Sequence, residues 1–141
     1  NYGLMARTFE VGHSEICLRE DIGLLPYSVL NRGVISGKYL GGAKPAGAKF
    51  TIWERDSHRY NAKWFEPVVQ RYIEIAGKHG LDVVQMAIAF CLQRAFIPSV
   101  IIAATKMEQL ESDIKAAAIH LSDEVLSDIA EVYKVMPDPT A

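Results

Sequence analysis

The chain has 141 residues, half of them apolar, and a formal net charge of -2. That is enough apolar material for one packed core, and without any run of lysine or arginine it excludes the extended basic footprint that nucleic acid demands. No stretch approaches the ~18 uninterrupted apolar residues of a membrane span, and the opening NYGLMARTFE has neither an initiator methionine nor the basic-then-apolar layout of a signal peptide.

The first residues carry no cap or turn signal, as in a processed or partial chain, and the rest reads as a soluble, cytoplasmic protein. Val11 to Glu20 can make a short, weak helix. IGLLPYSVL, residues 22–30, is then an apolar run of strand length whose apolar residues are consecutive, so a strand here is covered on both faces; Pro26 argues against full pairing. Cys17, like Cys91 further on, lies in an apolar neighbourhood without metal-type spacing, which fits a core thiol in a reducing compartment.

From Gly33 to about Arg59 the punctuation is dense, with Gly33, Gly37, Gly41, Gly42, Pro45 and Gly47, and a connection this long suggests a lid or binding loop that moves when no ligand holds it. Asn61 can cap a helix from Ala62 in which Phe65, Val68, Val69, Tyr72, Ile73 and Ala76 share a face, closed by Lys78, His79 and Gly80. Asp82 caps a second, VVQMAIAFCLQR, apolar nearly all round and hence buried. Pro98 separates it from SVIIAAT, a second run of strand type. Thr105 and Glu108 form a T-x-x-E capping box for a third helix with Met107, Leu110, Ile114 and Ala117 along one side. Ser122 starts a fourth, carrying Val125, Leu126, Ile129, Val132 and Tyr133, and MPDPTA stops it. Strand, loop, helix, helix, strand, helix is the order of parallel α/β architecture, with too few strands for a closed barrel.

Ligands in such folds bind at the carboxyl ends of strands. After the first run, Ser28, Asn31, Arg32, Gly33, Gly37 and Lys38 supply donors, close backbone approach and positive charge; after the second, Thr105 opens a helix whose free N–H groups suit a phosphate oxygen. Two readings fit these residues. Tyr27 and the charges form a groove for a large, polyanionic, partly aromatic ligand such as a dinucleotide, or Tyr27 is a core aromatic and Arg32, Lys38 and Lys49 are solvated loop charges.

PYSVLNRGVISGKYLGGAKPAGAKF resembles the YSPL…G…GKY segment of aldo/keto reductases, and SVIIAATKMEQLESDI resembles that family's second cofactor segment, most closely in its Tas-type and potassium-channel β-subunit-like branch. The resemblance runs from Asn1 to the C-terminus. It implies a (β/α)8 TIM barrel of which this chain is the C-terminal half, residues 1–141, an incomplete barrel with two parallel strands and four or five helices. It also implies NADPH: Tyr27 stacked on the nicotinamide, Ser28, Val29, Leu30 and Arg32 along the pyrophosphate, Gly37 and Lys38 holding the loop on the phosphates, Lys49 over the cofactor, and Thr105, Gln109 and Asp113 around the adenosine end.

The sequence departs from the family pattern at three of these positions, Val29, Lys49 and Asp113, and also at Ala103, whereas Gln109 is like its counterpart in Tas-type relatives. Val29 replaces a proline, Ala103 a glycine, Lys49 an arginine and Asp113 an asparagine, and Gln109 brings no charge to a 2′-phosphate. The family's Asp/Tyr/Lys/His set belongs to the half that precedes Asn1, so the chain by itself is expected to be inactive, with Tyr2, Tyr39, Tyr60, Tyr72 and Tyr133 not serving as the acid and His13, His58, His79 and His120 lying at the surface or in caps. The intact protein is expected to reduce a small-molecule carbonyl with NADPH, or alternatively to sense NADP(H) without turnover as a regulatory protein resembling potassium-channel β-subunits. A third alternative is a half-barrel released by proteolysis. Leu24, Leu25, Ile101 and Ile102, exposed by an open barrel, should make the chain alone self-associate.

Overall fold

A computed structural model describes residues 1–54, 60 and 62–139. Its described α-helices are α1 (His13–Arg19), α2 (Lys49–Ile52), α3 (Ala62–Lys78), α4 (Val83–Leu92), α5 (Met107–Lys115) and α6 (Asp123–Val135). The three longest follow their local signals. Asp82 accepts from the backbone N–H groups of Val84 and Gln85, the Ser122 hydroxyl accepts from Val125, and α3 ends at Lys78 before Gly80 turns left-handed at φ +66°. The cap expected of Asn61 lies outside the described residues, as do residues 55–59 of the loop.

The core is built on α4, where Met86 through Cys91 are all buried because the helix has no polar side to offer water. α3 lays Phe65, Val68, Val69, Tyr72 and Ala76 against it, α6 contributes Val125, Ile129 and Val132, and the N-terminal Tyr2, Leu4 and Met5 fill the centre. Taken singly, no helix among the described residues is long and apolar enough to cross a membrane. Burial pushes the Cys91 thiol up to about 12, whereas Cys17 is half-buried. A thiol reagent at pH 8 is therefore expected to label Cys17 in the native protein and both cysteines only after denaturation; native labelling of both would show that α4 is not enclosed.

The two strand-type runs behave differently from the sequence expectation. Residues 22–28 and 99–104 are irregular backbone, and no β-strand is formed among the described residues. The first run nevertheless lies alongside the chain from Phe96 to Ile101 in the same direction: Leu24 N–H donates to the Phe96 carbonyl, just before the second run, at 2.8 Å, and Ile101 N–H, within it, to the Pro26 carbonyl at 2.9 Å. Two bonds do not make a ladder. Pro26 has no N–H to give, parallel pairing is weak per residue, and among the described residues no further strand flanks the pair to complete a sheet. Leu25 and Ile101 consequently face solvent at 55% and 54% exposure.

The N-terminus is locked by a network that its residue types alone do not announce. The Tyr2 hydroxyl donates to Glu10 Oε1 at 2.5 Å, Arg7 makes a bidentate pair with Glu10, and the Arg7 guanidinium stacks 4.3 Å from the Tyr133 ring on α6. The Arg7 backbone N–H donates to Asp138, whose other oxygen accepts from Tyr133 at 3.0 Å, so the tail that ends α6 folds back to hold the start of the chain.

Candidate functional site

The stretch after the first run is a succession of tight turns. Asn31 N–H donates to the Ser28 carbonyl, Gly33 to Leu30, Gly37 to Val34 and Leu40 to Gly37. Ser28, Asn31 and Arg32 take left-handed φ values of +57°, +48° and +58° without being glycine, and Gly33 and Gly37 follow at +87° and +77°. Left-handed backbone at non-glycine residues costs free energy and persists only where the surroundings impose it, so a cluster of three is the kind of strain that marks binding loops.

What imposes it is packing. Val29 is buried, and a Cβ on Gly3 would stand 2.9 Å from the Val29 carbonyl oxygen, so the strap is pinned to the N-terminal segment. Val34 and Ile35 are buried as well, and a Cβ on Gly37 would stand 2.6 Å from Ile73 Cδ1 on α3. Between these anchors Leu30 is half-buried and Arg32 is exposed. Lys38 curls back: its Nζ would be 2.7 Å from a Cβ on Gly33 and lies 5.2 Å from the Tyr39 ring centroid. Its ammonium thus hangs over the left-handed turn at Gly33. Tyr27, at the entrance, is 57% exposed, which overturns its reading as a core aromatic. Lys49 is exposed at the start of α2, whose Phe50 stacks on Tyr39 with ring centroids 4.7 Å apart.

At the second segment the expected capping box is not formed. The N-cap is Lys106 and Glu108 makes no cap bond; instead Gln109 Oε1 accepts from both the N–H and the hydroxyl of Thr105 at 3.2 Å. Gln109 and Glu108 have side chains of equal length, so position decides: Gln109, four residues on, projects back towards the helix N-terminus over Thr105. Thr105 and Gln109 are both exposed, while Asp113, one turn on, is buried. The bond from Ile101 to Pro26 sets the roots of both segments side by side, with Tyr27 leaving one and Ala103 to Thr105 leaving the other.

Burial, followed by repulsion from Asp82, holds the Asp113 carboxyl above its ordinary value. A carboxylate whose folded pKa is raised weakens the fold once it is ionised, and the penalty disappears below the unfolded value of about 3.9. Asp113→Asn is therefore expected to raise the melting temperature by a few degrees at pH 7, with the gain vanishing as pH falls towards 4. Parallel thermal melts of the two proteins check this; an equal gain at both pH values would mean that charge is not the cause.

His13 lies exposed and stacks on Phe9, His120 is exposed, and His58 falls outside the described residues. His79 is half-buried against α6 through Asp128. Neither this contact nor the Arg7 to Asp138 tie is legible in the sequence, because each joins residues distant in the chain. The only local hint was the i, i+3 spacing of Arg7 and Glu10.

Comparison with known proteins gives one family. The model of the Aldo/keto reductase family matches residues 1–134. "Protein tas" of Escherichia coli (strain K12) is 43% identical over 98% of this chain and 40% of its own length, and the "Probable voltage-gated potassium channel subunit beta" of Arabidopsis thaliana is 30% identical over 96% and 43%. "Probable aldo-keto reductase 1" of Glycine max is 28% identical over 96% and 38%. The chain spans about two-fifths of the length of the curated relatives it matches.

Proposed function

Because the chain belongs to the aldo/keto reductase family, we propose that it forms the cofactor-binding part of an NADPH-dependent carbonyl reductase. In this reading it is the C-terminal half of a (β/α)8 barrel, whose remaining strands would flank the two runs that here stand alone. The observation that carries the proposal is the strained strap from Ser28 to Gly37, anchored below by Val29, Val34 and Ile35 and topped by Arg32 and Lys38. The residues suit a bound dinucleotide. Tyr27 offers an exposed ring, the Lys38 ammonium lies over the Gly33 turn where it can swing out to meet a phosphate, and exposed Thr105 and Gln109 stand at the second segment.

The nicotinamide, when bound, supplies the hydride that reduces a carbonyl carbon to the alcohol. The chain's own residues bind and orient. Tyr27 holds the ring plane, Arg32 and Lys38 balance phosphate charge, and the turn amides from Ser28 to Leu30 fix the register of the pyrophosphate. Lys49 would approach from the start of α2, and Asp113 would stand one turn beyond Gln109 on α5. The proton donor that completes the reduction belongs, in this proposal, to the other part of a longer parent, and this chain alone is inactive.

Calorimetric titration of the whole protein with NADPH, paired with an assay of aldehyde-dependent NADPH oxidation, tests the reading. Binding with turnover is expected; no heat with either NADPH or NADP+ would sink it. Tight binding without turnover across an aldehyde panel would favour the regulatory alternative, which rests on the similarity to a potassium-channel β-subunit. The chain alone is proposed to self-associate through Leu25 and Ile101, and light scattering that returned a monodisperse monomer would contradict this.

A further inference from the structure

Away from the proposed cofactor segments, the end of α3 meets α6 at a cluster that the reduction does not use. His79 follows α3, has a side chain 13% exposed, and places Nε2 2.8 Å from Asp128 Oδ2. Lys78 Nζ stands 2.8 Å from the same oxygen and 3.2 Å from Glu124 Oε1. Glu124 and Asp128 are four residues apart on α6, which puts both carboxylates on one face over the C-terminal end of α3. One ligand atom from each of His79, Glu124 and Asp128 lies within 4.8 Å of the other two.

We propose that His79, Asp128 and Glu124 form a site for a divalent cation of the zinc class, which clamps α3 to α6 after displacing the Lys78 ammonium. One imidazole nitrogen with two carboxylate oxygens is a donor set that zinc accepts, whereas magnesium and calcium favour oxygen alone. Zinc bonds of about 2.0–2.2 Å let donors up to roughly 4 Å apart share one ion, and a rotation of the exposed Glu124 closes what remains. The place is already a cation position, since the Lys78 ammonium bridges the two carboxylates. That ammonium is a compact, strongly hydrated charge on a flexible stem, and at 54% exposure it can return to water when a divalent ion takes its place. Ligation through Nε2 selects the tautomer with the proton on Nδ1. The ion would serve as a tie between helices, with no part in hydride chemistry, so this proposal stands or falls independently of cofactor binding.

The test is a titration of the metal-stripped whole protein with zinc sulfate, followed by calorimetry and by melting temperature. Saturable binding and a melting temperature that climbs with zinc are expected. His79→Gln and Asp128→Asn should each weaken binding by about tenfold or more, while Lys78→Ala, which removes the competing charge, should tighten it several-fold. Circular dichroism confirms that each variant is folded, and the exposed position of Lys78 keeps that arm readable even if His79→Gln is unstable. No zinc binding by the unmodified protein, a His79→Gln titration matching it, a Lys78→Ala affinity that is unchanged or weaker, or an equal response to magnesium would each overturn the assignment.

Discussion

Phe90→Ala is expected to destabilise the protein by about 3–5 kcal/mol, the largest loss available from a single core truncation. Phe90 is 1% exposed towards the C-terminal end of α4, stacked on Tyr2 with ring centroids 6.2 Å apart. Arg94 lies 4.2 Å above its ring and Arg7 5.3 Å away, so the ring is both core filler and a seat for two guanidinium groups. Truncation leaves a cavity that the helix cannot collapse into, and it loosens Arg7, which holds Glu10 and through its backbone Asp138. Phe90→Leu keeps most of the volume and should cost less than half as much. Urea denaturation of both variants measures the difference. A loss below about 1 kcal/mol for the alanine would mean that the N-terminal segment is not seated on α4 as described.

Tyr27→Ala is expected to weaken NADPH binding by the whole protein by about 5- to 150-fold, the range that corresponds to ~1–3 kcal/mol for stacking a base on an aromatic ring. The side chain is 57% exposed, so its removal should leave the melting temperature nearly unchanged, which separates a binding role from a structural one. Tyr27→Phe retains the ring and should bind nearly as well as the natural residue. Equal affinity of the alanine variant and the natural protein would remove Tyr27 from the proposed site, and a large fall in stability would return it to a packing role.

Where signals were local, the sequence was readable. Asp82 and Ser122 sit beside the amides they cap, and α3, α4 and α6 lie where periodicity and punctuation place them, with α4 ending at Leu92, two residues before Arg94. At Thr105 the T-x-x-E spacing misleads by one residue, because the side chain that reaches back belongs to Gln109 and the N-cap is Lys106. The long connection expected from Gly33 onwards is more ordered than its glycines suggest: Asn31–Ser36 and Leu40–Gly42 form 3-10 turns, Lys49–Ile52 forms α2, and left-handed residues at Ser28, Asn31, Arg32, Gly33 and Gly37 punctuate its start.

The strand-type runs show the limit most clearly. Their composition by itself established that residues 22–30 and 99–105 are apolar and that polar segments follow each. Whether they form a ladder depends on neighbours on both sides, because a strand's hydrogen bonds are made to other strands and a helix's are made within itself. With only each other to pair with, they share the one bond from Ile101 to Pro26 and leave Leu25 and Ile101 in solvent. For the same reason the family motifs could name Tyr27 and Thr105, but the pairing of Pro26 with Ile101, the hold of Asp138 on Arg7 and the meeting of His79 with Asp128 came only from tertiary structure. Each joins residues separated by 49 or more positions or by an intervening helix pair, and chain order carries no record of such distances until the core has closed around α4.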